Sequence, residues 1–65
     1  MSKTIGVIGL GSIGMRHAKN LRAMGHKVYG TDPDPATMVK FIMREGGTDL
    51  DGWIEKMDGV VIATP

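Results

Sequence analysis

Gly9-Leu10-Gly11-Ser12-Ile13-Gly14 follows directly on Thr4-Ile5-Gly6-Val7-Ile8. The earlier stretch is a short, nearly continuous β-branched run without polar alternation, the pattern of a central parallel strand buried on both faces. From Ser12 to Met24 the pattern becomes helical, with Gly14, His17, Ala18, Leu21 and Met24 at spacings of three and four and Arg16, Lys19, Asn20 and Arg22 largely off that stripe. Gly25 is placed to close the helix in a left-handed conformation. Lys27-Val28-Tyr29-Gly30-Thr31 is the next strand candidate, and Asp32-Pro33-Asp34-Pro35 stops it, because proline cannot continue a ladder.

A glycine triplet of this form is weak in isolation. Here it leaves a strand, opens a helix, and is followed by a second strand ending on an acid 18 positions after Gly14. That is the context a dinucleotide-binding loop requires. Gly9 allows the tight turn, Gly11 lets the backbone approach a diphosphate with no Cβ in the way, and Gly14 lets the helix pack on the strand. The free N–H groups and positive dipole end of the helix attract the diphosphate. Asp32 stands where a carboxylate accepts from the adenosine ribose hydroxyls. A carboxylate there repels the extra phosphate of NADP, and Pro33, Asp34 and Pro35 supply no cation to welcome it, so the expected cofactor is NAD in preference to NADP. The plainer alternatives are a strand-to-helix turn without a ligand and, for Asp32, a turn-former or helix cap, although Asp34 is the better cap.

Asp34 as N-cap and Pro35 at the first helical position predict a second helix running to Met43 or Arg44. Its expected apolar stripe is Met38, Val39, Ile42 and Met43, with Gly46-Gly47 closing it. Too few residues lie between Gly46 and Asp49 for more than a vestigial third strand. Asp49 is placed to cap a short third helix with Leu50, Trp53, Ile54 and Met57 on one face. Asp58-Gly59 turns the chain into a buried strand at Val60-Val61-Ile62-Ala63, leading to Thr64-Pro65. The alternation predicts one α/β domain over 1–65, a partial Rossmann fold with a parallel sheet, ordered β-α-β-α-(short or absent β)-α-β.

A chain of 65 residues buries only about 60% of the surface its unfolded form exposes. It has no cysteine to make disulfides, so self-association or a remainder of longer chain is expected to complete it. The expected oligomer is a homodimer or larger, formed through sheet edges or by burying Trp53 and neighbouring methionines. A net charge of +1 gives no electrostatic reason to expect nucleic acid or a membrane surface as partner. No apolar run approaches the roughly 20 residues needed to span a bilayer. The N-terminus shows no signal-peptide pattern, so the expected location is the cytoplasm. His17 is assigned to the inward stripe of the first helix as a packed residue, and His26 to the solvated end of that helix. No catalytic nucleophile, acid–base pair or metal-ligand spacing occurs, so neither catalytic nor metal-binding residues are expected.

Gly6-Val7-Ile8-Gly9-Leu10-Gly11-Ser12-Ile13-Gly14, Arg16-His17, Asn20-Leu21-Arg22, Asp32-Pro33-Asp34 and the closing Val60-Val61-Ile62-Ala63-Thr64-Pro65 together resemble the N-terminus of the glucose-fructose oxidoreductase/inositol dehydrogenase (Gfo/Idh/MocA) family. That resemblance implies an NAD-dependent oxidoreductase of sugars or polyols. Gly9, Leu10, Gly11, Ser12, Ile13 and Gly14 would surround the pyrophosphate, Asp32 the adenosine ribose, and Ala63, Thr64 and Pro65 the nicotinamide side. The family's Glu-Lys-Pro motif and its substrate domain have no counterpart in the chain, which is therefore expected to be a truncated cofactor-binding module, inactive alone. Ala18-Lys19-Asn20-Leu21 with Gly25-His26 also resembles the 3-hydroxyisobutyrate and prephenate dehydrogenases. A non-catalytic nucleotide-sensing or interaction module, such as those regulating ion-transport proteins, is a further alternative.

Overall fold

The computed structural model describes residues 2–63. They form β1 (Thr4–Ile8), α1 (Ser12–Ala23), β2 (Lys27–Thr31), α2 (Pro35–Glu45), β3 (Thr48–Asp49), a single 3-10 turn (Ile54–Lys56) and β4 (Gly59–Ile62). The strands make one parallel sheet in the order β3-β2-β1-β4. Val7 pairs with Gly30 on one side and with Val61 on the other, so β1 is interior. This is the α/β Rossmann-like arrangement expected from the alternation of elements. β3 has the vestigial length its short segment predicted.

Local chemistry explains the element ends. Gly25 has φ 92° and donates its N–H to the Arg22 carbonyl, closing α1. Asp34 caps α2, its carboxylate accepting the Ala36 N–H at 3.1 Å and the Thr37 hydroxyl at 3.0 Å, ahead of Pro35 at the first helical position. Gly46, at φ 67°, ends α2 in the left-handed region. At the amino end of the sheet, Thr4 and Asp58 bond reciprocally: the Thr4 N–H donates to the Asp58 carboxylate at 2.8 Å, and the Asp58 N–H to the Thr4 carbonyl at 2.7 Å.

The core lies between the sheet and the helices: Val7, Leu10, Met15, Ala18, Val28 and Phe41 are buried, with Leu21, Met38 and Val61 packed against them. Phe41 is fully enclosed because Gly30 and Gly47 leave a hollow for its ring. A Cβ on either glycine would lie within 2.8 Å or 2.1 Å of that ring respectively. This corrects the expected stripe of α2: Val39, Ile42 and Met43 are exposed, and the helix is turned so that Met38 and Phe41 face inward. In α1 the buried residues are Gly14, Met15 and Ala18. His17 and Met24 are exposed, contrary to the expected inward stripe, and Met15, outside that stripe, is buried in the core beside Ala18.

The other sheet face carries the segment from Leu50 to Met57. The expected third helix is reduced to the 3-10 turn, since Asp49 is drawn into β3 and its carboxylate accepts the Asp51 N–H in a local turn. Leu50 is buried over Gly6, whereas Trp53 and Ile54 are exposed. His26 is half-buried, its Nδ1 accepting the Lys3 N–H at 3.0 Å; it is tied to the chain start instead of being merely solvated.

Candidate functional site

The glycine loop joins the carboxyl end of β1 to α1, and each of its glycines answers a different demand. Gly9 adopts φ 93°, a conformation that disfavours any side chain, and donates its N–H to the Thr31 carbonyl at 2.9 Å. Gly14 is required by packing: a Cβ there would lie 1.7 Å from the Gly9 carbonyl oxygen. Gly11 is different. Its φ of −64° suits any residue, and a Cβ there would have no atom of the described residues within 4 Å. Nothing among the described residues requires glycine at that position.

Helix geometry supplies the anion-seeking groups. The first intrahelical bond of α1 is from the Met15 N–H to the Gly11 carbonyl. The N–H groups of Gly11, Ser12, Ile13 and Gly14 therefore have no acceptor among the described residues. No acidic side chain lies in the first turn to compete for them.

Asp32 follows β2 beside this loop. One carboxylate oxygen accepts the Leu10 N–H at 2.8 Å, and the other accepts the Asp34 N–H at 2.9 Å. The Asp34 N–H and then the Leu10 N–H stabilise the ionised form and hold the carboxyl below the usual aspartate range, against a smaller opposing effect of burial. The group is thus a carboxylate with lone pairs to spare at neutral pH.

A cavity of about 410 Å³ brings together Gly9, Gly11, Ser12, Ile13, Asp32 and Ala63, with Pro33 as a further wall. This size falls within the range of small-molecule and cofactor sites. Gly14 lies beneath it, buried against Gly9. Leu10 has its side chain in the core and its N–H bonded to Asp32. Thr64 and Pro65 lie outside the described residues. The sequence marks Pro33 as a strand stop and as a position without a cation; its place directly after the acid is the signal for its part in the cavity wall. A second cavity, of about 340 Å³, shares Gly11 and Ser12 and extends to Thr37 and Lys40 of α2. No sequence pattern marked these two residues.

Among the described residues no cluster of His, Cys, Asp or Glu could hold a metal ion, and no helix is long and apolar enough to cross a membrane.

Over residues 1–65 the chain matches the family described as D-isomer specific 2-hydroxyacid dehydrogenase, NAD binding domain. Neither the curated proteins nor the solved structures give a match. The family finding corrects the Gfo/Idh/MocA resemblance and, with it, the sugar or polyol reading; the alternative of a fragment like the 3-hydroxyisobutyrate and prephenate dehydrogenases stands nearer, though the acids of the matched family are 2-hydroxy acids. The glycine loop, the acid after β2 and the parallel strands belong to dinucleotide-binding domains in general. Of the residues that favoured the other family, Gly11, Ser12, Ile13 and Ala63 line the 410 Å³ cavity, whereas Arg16 and His17 are exposed on α1 and do not. The loop, the acid, the parallel sheet and the match along the whole sequence agree: this chain belongs to the family of NAD-binding domains of D-isomer specific 2-hydroxyacid dehydrogenases.

Proposed function

We propose that the cavity between the glycine loop and Asp32 binds NAD(H) in preference to NADP(H), and that the chain is the cofactor-holding part of a dehydrogenase of D-2-hydroxy acids. The observation that carries this reading is Gly11, a glycine in ordinary backbone geometry with open space where its side chain would be. A close-lying ligand explains that choice; the fold does not. The N–H groups of Gly11, Ser12, Ile13 and Gly14 receive the diphosphate, Asp32 accepts from the adenosine ribose hydroxyls, and Ala63, Thr64 and Pro65 border the nicotinamide side. Leu10 acts as the strut beneath the loop. When bound, the nicotinamide supplies the hydride chemistry, and the residues of this chain bind and orient it.

The preference for NAD rests on charge. The Asp34 and Leu10 N–H groups hold the Asp32 carboxyl below its usual range, so it is ionised at neutral pH and a ribose 2′-phosphate would bring like charge against it. Titration calorimetry with NADH, NADPH and ADP-ribose tests this reading. NADH and ADP-ribose should bind at least ~10-fold more tightly than NADPH, a difference of about 1.4 kcal/mol. Equal, weak binding of all three would reduce the loop to a structural turn.

Self-association also belongs to this proposal. Trp53, Ile54, Val60 and Ile62 are large apolar side chains left exposed, and among the described residues β4 has a strand neighbour on one side only. Pairing of that edge between copies would cover the apolar surface and satisfy the free ladder groups. Light scattering across a concentration series checks it, and a compact monomer at high concentration would refute it.

A further inference from the structure

We propose that Asp32 is also the residue that sets the shape of the diphosphate loop, through its hold on the Leu10 N–H, so that it governs affinity for a diphosphate even when no ribose hydroxyl is present. This deepens the cofactor reading above and rests on it for the ligand. The loop is stitched to the end of β2 by consecutive donors, from the Gly9 N–H to the Thr31 carbonyl at 2.9 Å and from the Leu10 N–H to the Asp32 carboxylate at 2.8 Å. Between them lies the sharp turn at Gly9. The Leu10 side chain is 1% exposed, and its Cδ1 lies 3.0 Å from where a Cβ on Gly30 would sit, so it is anchored in the core as well. Leu10 is therefore held at both ends, by Asp32 above and by β2 below. Gly11 and the open N–H groups follow it directly.

The second carboxylate oxygen holds the Asp34 N–H, which fixes the orientation of the group. Asp34 in turn caps α2 through the Ala36 N–H and the Thr37 hydroxyl. The same carboxylate thus links the diphosphate loop to the start of α2. An amide at this position has one acceptor oxygen and cannot reproduce both bonds.

Electrostatics and positioning make opposite predictions, which renders the assignment testable. Removing a negative charge beside an anion site should strengthen diphosphate binding. Loss of the loop's anchor should weaken it. The test compares ADP with 2′,3′-dideoxy-ADP, which lacks both ribose hydroxyls, on the full chain and its Asp32→Ala and Asp32→Asn variants. Asp32→Ala should weaken dideoxy-ADP at least ~5-fold, the scale of one lost hydrogen bond, with Asp32→Asn between it and the parent. Unchanged or tighter binding of dideoxy-ADP by Asp32→Ala would overturn the proposal and leave Asp32 a ribose ligand only.

A ligand-free arm runs on the unsubstituted chain, so it remains decisive if a variant fails to fold or if neither nucleotide binds. In ¹⁵N-correlated spectra the Leu10 amide should exchange slowly with solvent, and its shift should follow the Asp32 carboxyl through an acid titration. Rapid exchange of Leu10, or a shift indifferent to Asp32, would overturn the loop-setting role. Failure of the parent chain to bind either nucleotide would instead sink the cofactor reading, with the amide data still deciding the clamp.

Discussion

The two faces of the sheet are built to different standards. Toward α1 and α2, Val7 and Val28 meet Ala18, Met15 and a fully enclosed Phe41, and small residues make room for the large one. On the opposite face, Leu50 is the one large apolar side chain buried among the described residues, and it rests on Gly6 near Met57. Tyr29 and Trp53 meet obliquely with ring centroids 6.1 Å apart, Lys56 lies over the Trp53 ring at 5.3 Å, and Val60 and Ile62 remain exposed. The glycine loop grows from the well-packed face: Gly14 and Met15 of its helix are buried, and Leu10 sits within the core. A binding site needs its groups held still, and rigid packing beneath the loop provides this.

The contrast is best broken first at Gly14. Alanine there must displace the Gly9 backbone, so Gly14→Ala should cost at least about 4 kcal/mol and abolish cooperative unfolding in a domain this small. Gly11→Ala, in the same loop but facing open space, should leave the melting temperature unchanged and weaken NADH by ~10-fold or more. Circular dichroism melts beside calorimetry separate these outcomes. If the two alanines behave alike, the division between a packing glycine and a ligand-facing glycine is wrong.

The faces themselves can be compared with one truncation on each. Phe41→Ala should cost about 3–5 kcal/mol, the range for an enclosed aromatic. Trp53→Ala, at a side chain 44% exposed, should cost about 1 kcal/mol, since less surface returns to water. Denaturant titration measures both, and equal costs would show that the faces do not differ in packing.

Acid probes the join between them and the loop. Asp32 has its folded-state pKa lowered below the usual 3.8, chiefly by the Asp34 N–H and then by the Leu10 N–H. Its contribution to stability is therefore present above the unfolded-state value and is lost as pH falls through the depressed one. Asp32→Asn, which has no such proton to take up, should lose less melting temperature than the parent between pH 5 and pH 2, at roughly the range where carboxylates titrate. A parallel decline of the two would exclude Asp32 from acid sensitivity. The smallest effect on stability is expected at Ile62, where serine should change it by less than about 0.5 kcal/mol, as at most exposed positions. The same change should reduce self-association in light scattering, and unaltered association would remove the β4 face from that role.

The glycine loop, β2, Asp32 and the Asp34-Pro35 start of α2 were legible in the residues because each is decided within a few positions. A positive φ, a fixed proline φ and an Asx cap act on the backbone immediately around them. The faces of the helices were not legible at that level. Met38, Val39, Ile42 and Met43 form a plausible stripe, yet Phe41 prevails because Gly30 and Gly47, brought from elsewhere, leave a hollow shaped for a ring. The third helix failed for a related reason: Asp49 could cap a helix or join a strand, and pairing of β3 with β2 settled it. Gly11-Ser12-Ile13-Gly14 with Arg16-His17 and the closing Ala63-Thr64-Pro65 resemble the Gfo/Idh/MocA family, yet the match along residues 1–65 is to a different family of NAD-binding domains.

The sequence by itself determined the order of elements and the parallel Rossmann arrangement, along with the placement of a glycine loop and an acid at adjacent strand ends, because these follow from local backbone preferences and the periodicity of apolar residues. Only the tertiary structure decided that Gly14 serves packing while Gly11 faces open space. It also decided that Asp32 reaches across 22 positions to hold Leu10. Such contacts depend on the separation and rotation of elements distant in the chain, which sheet pairing and close packing set jointly.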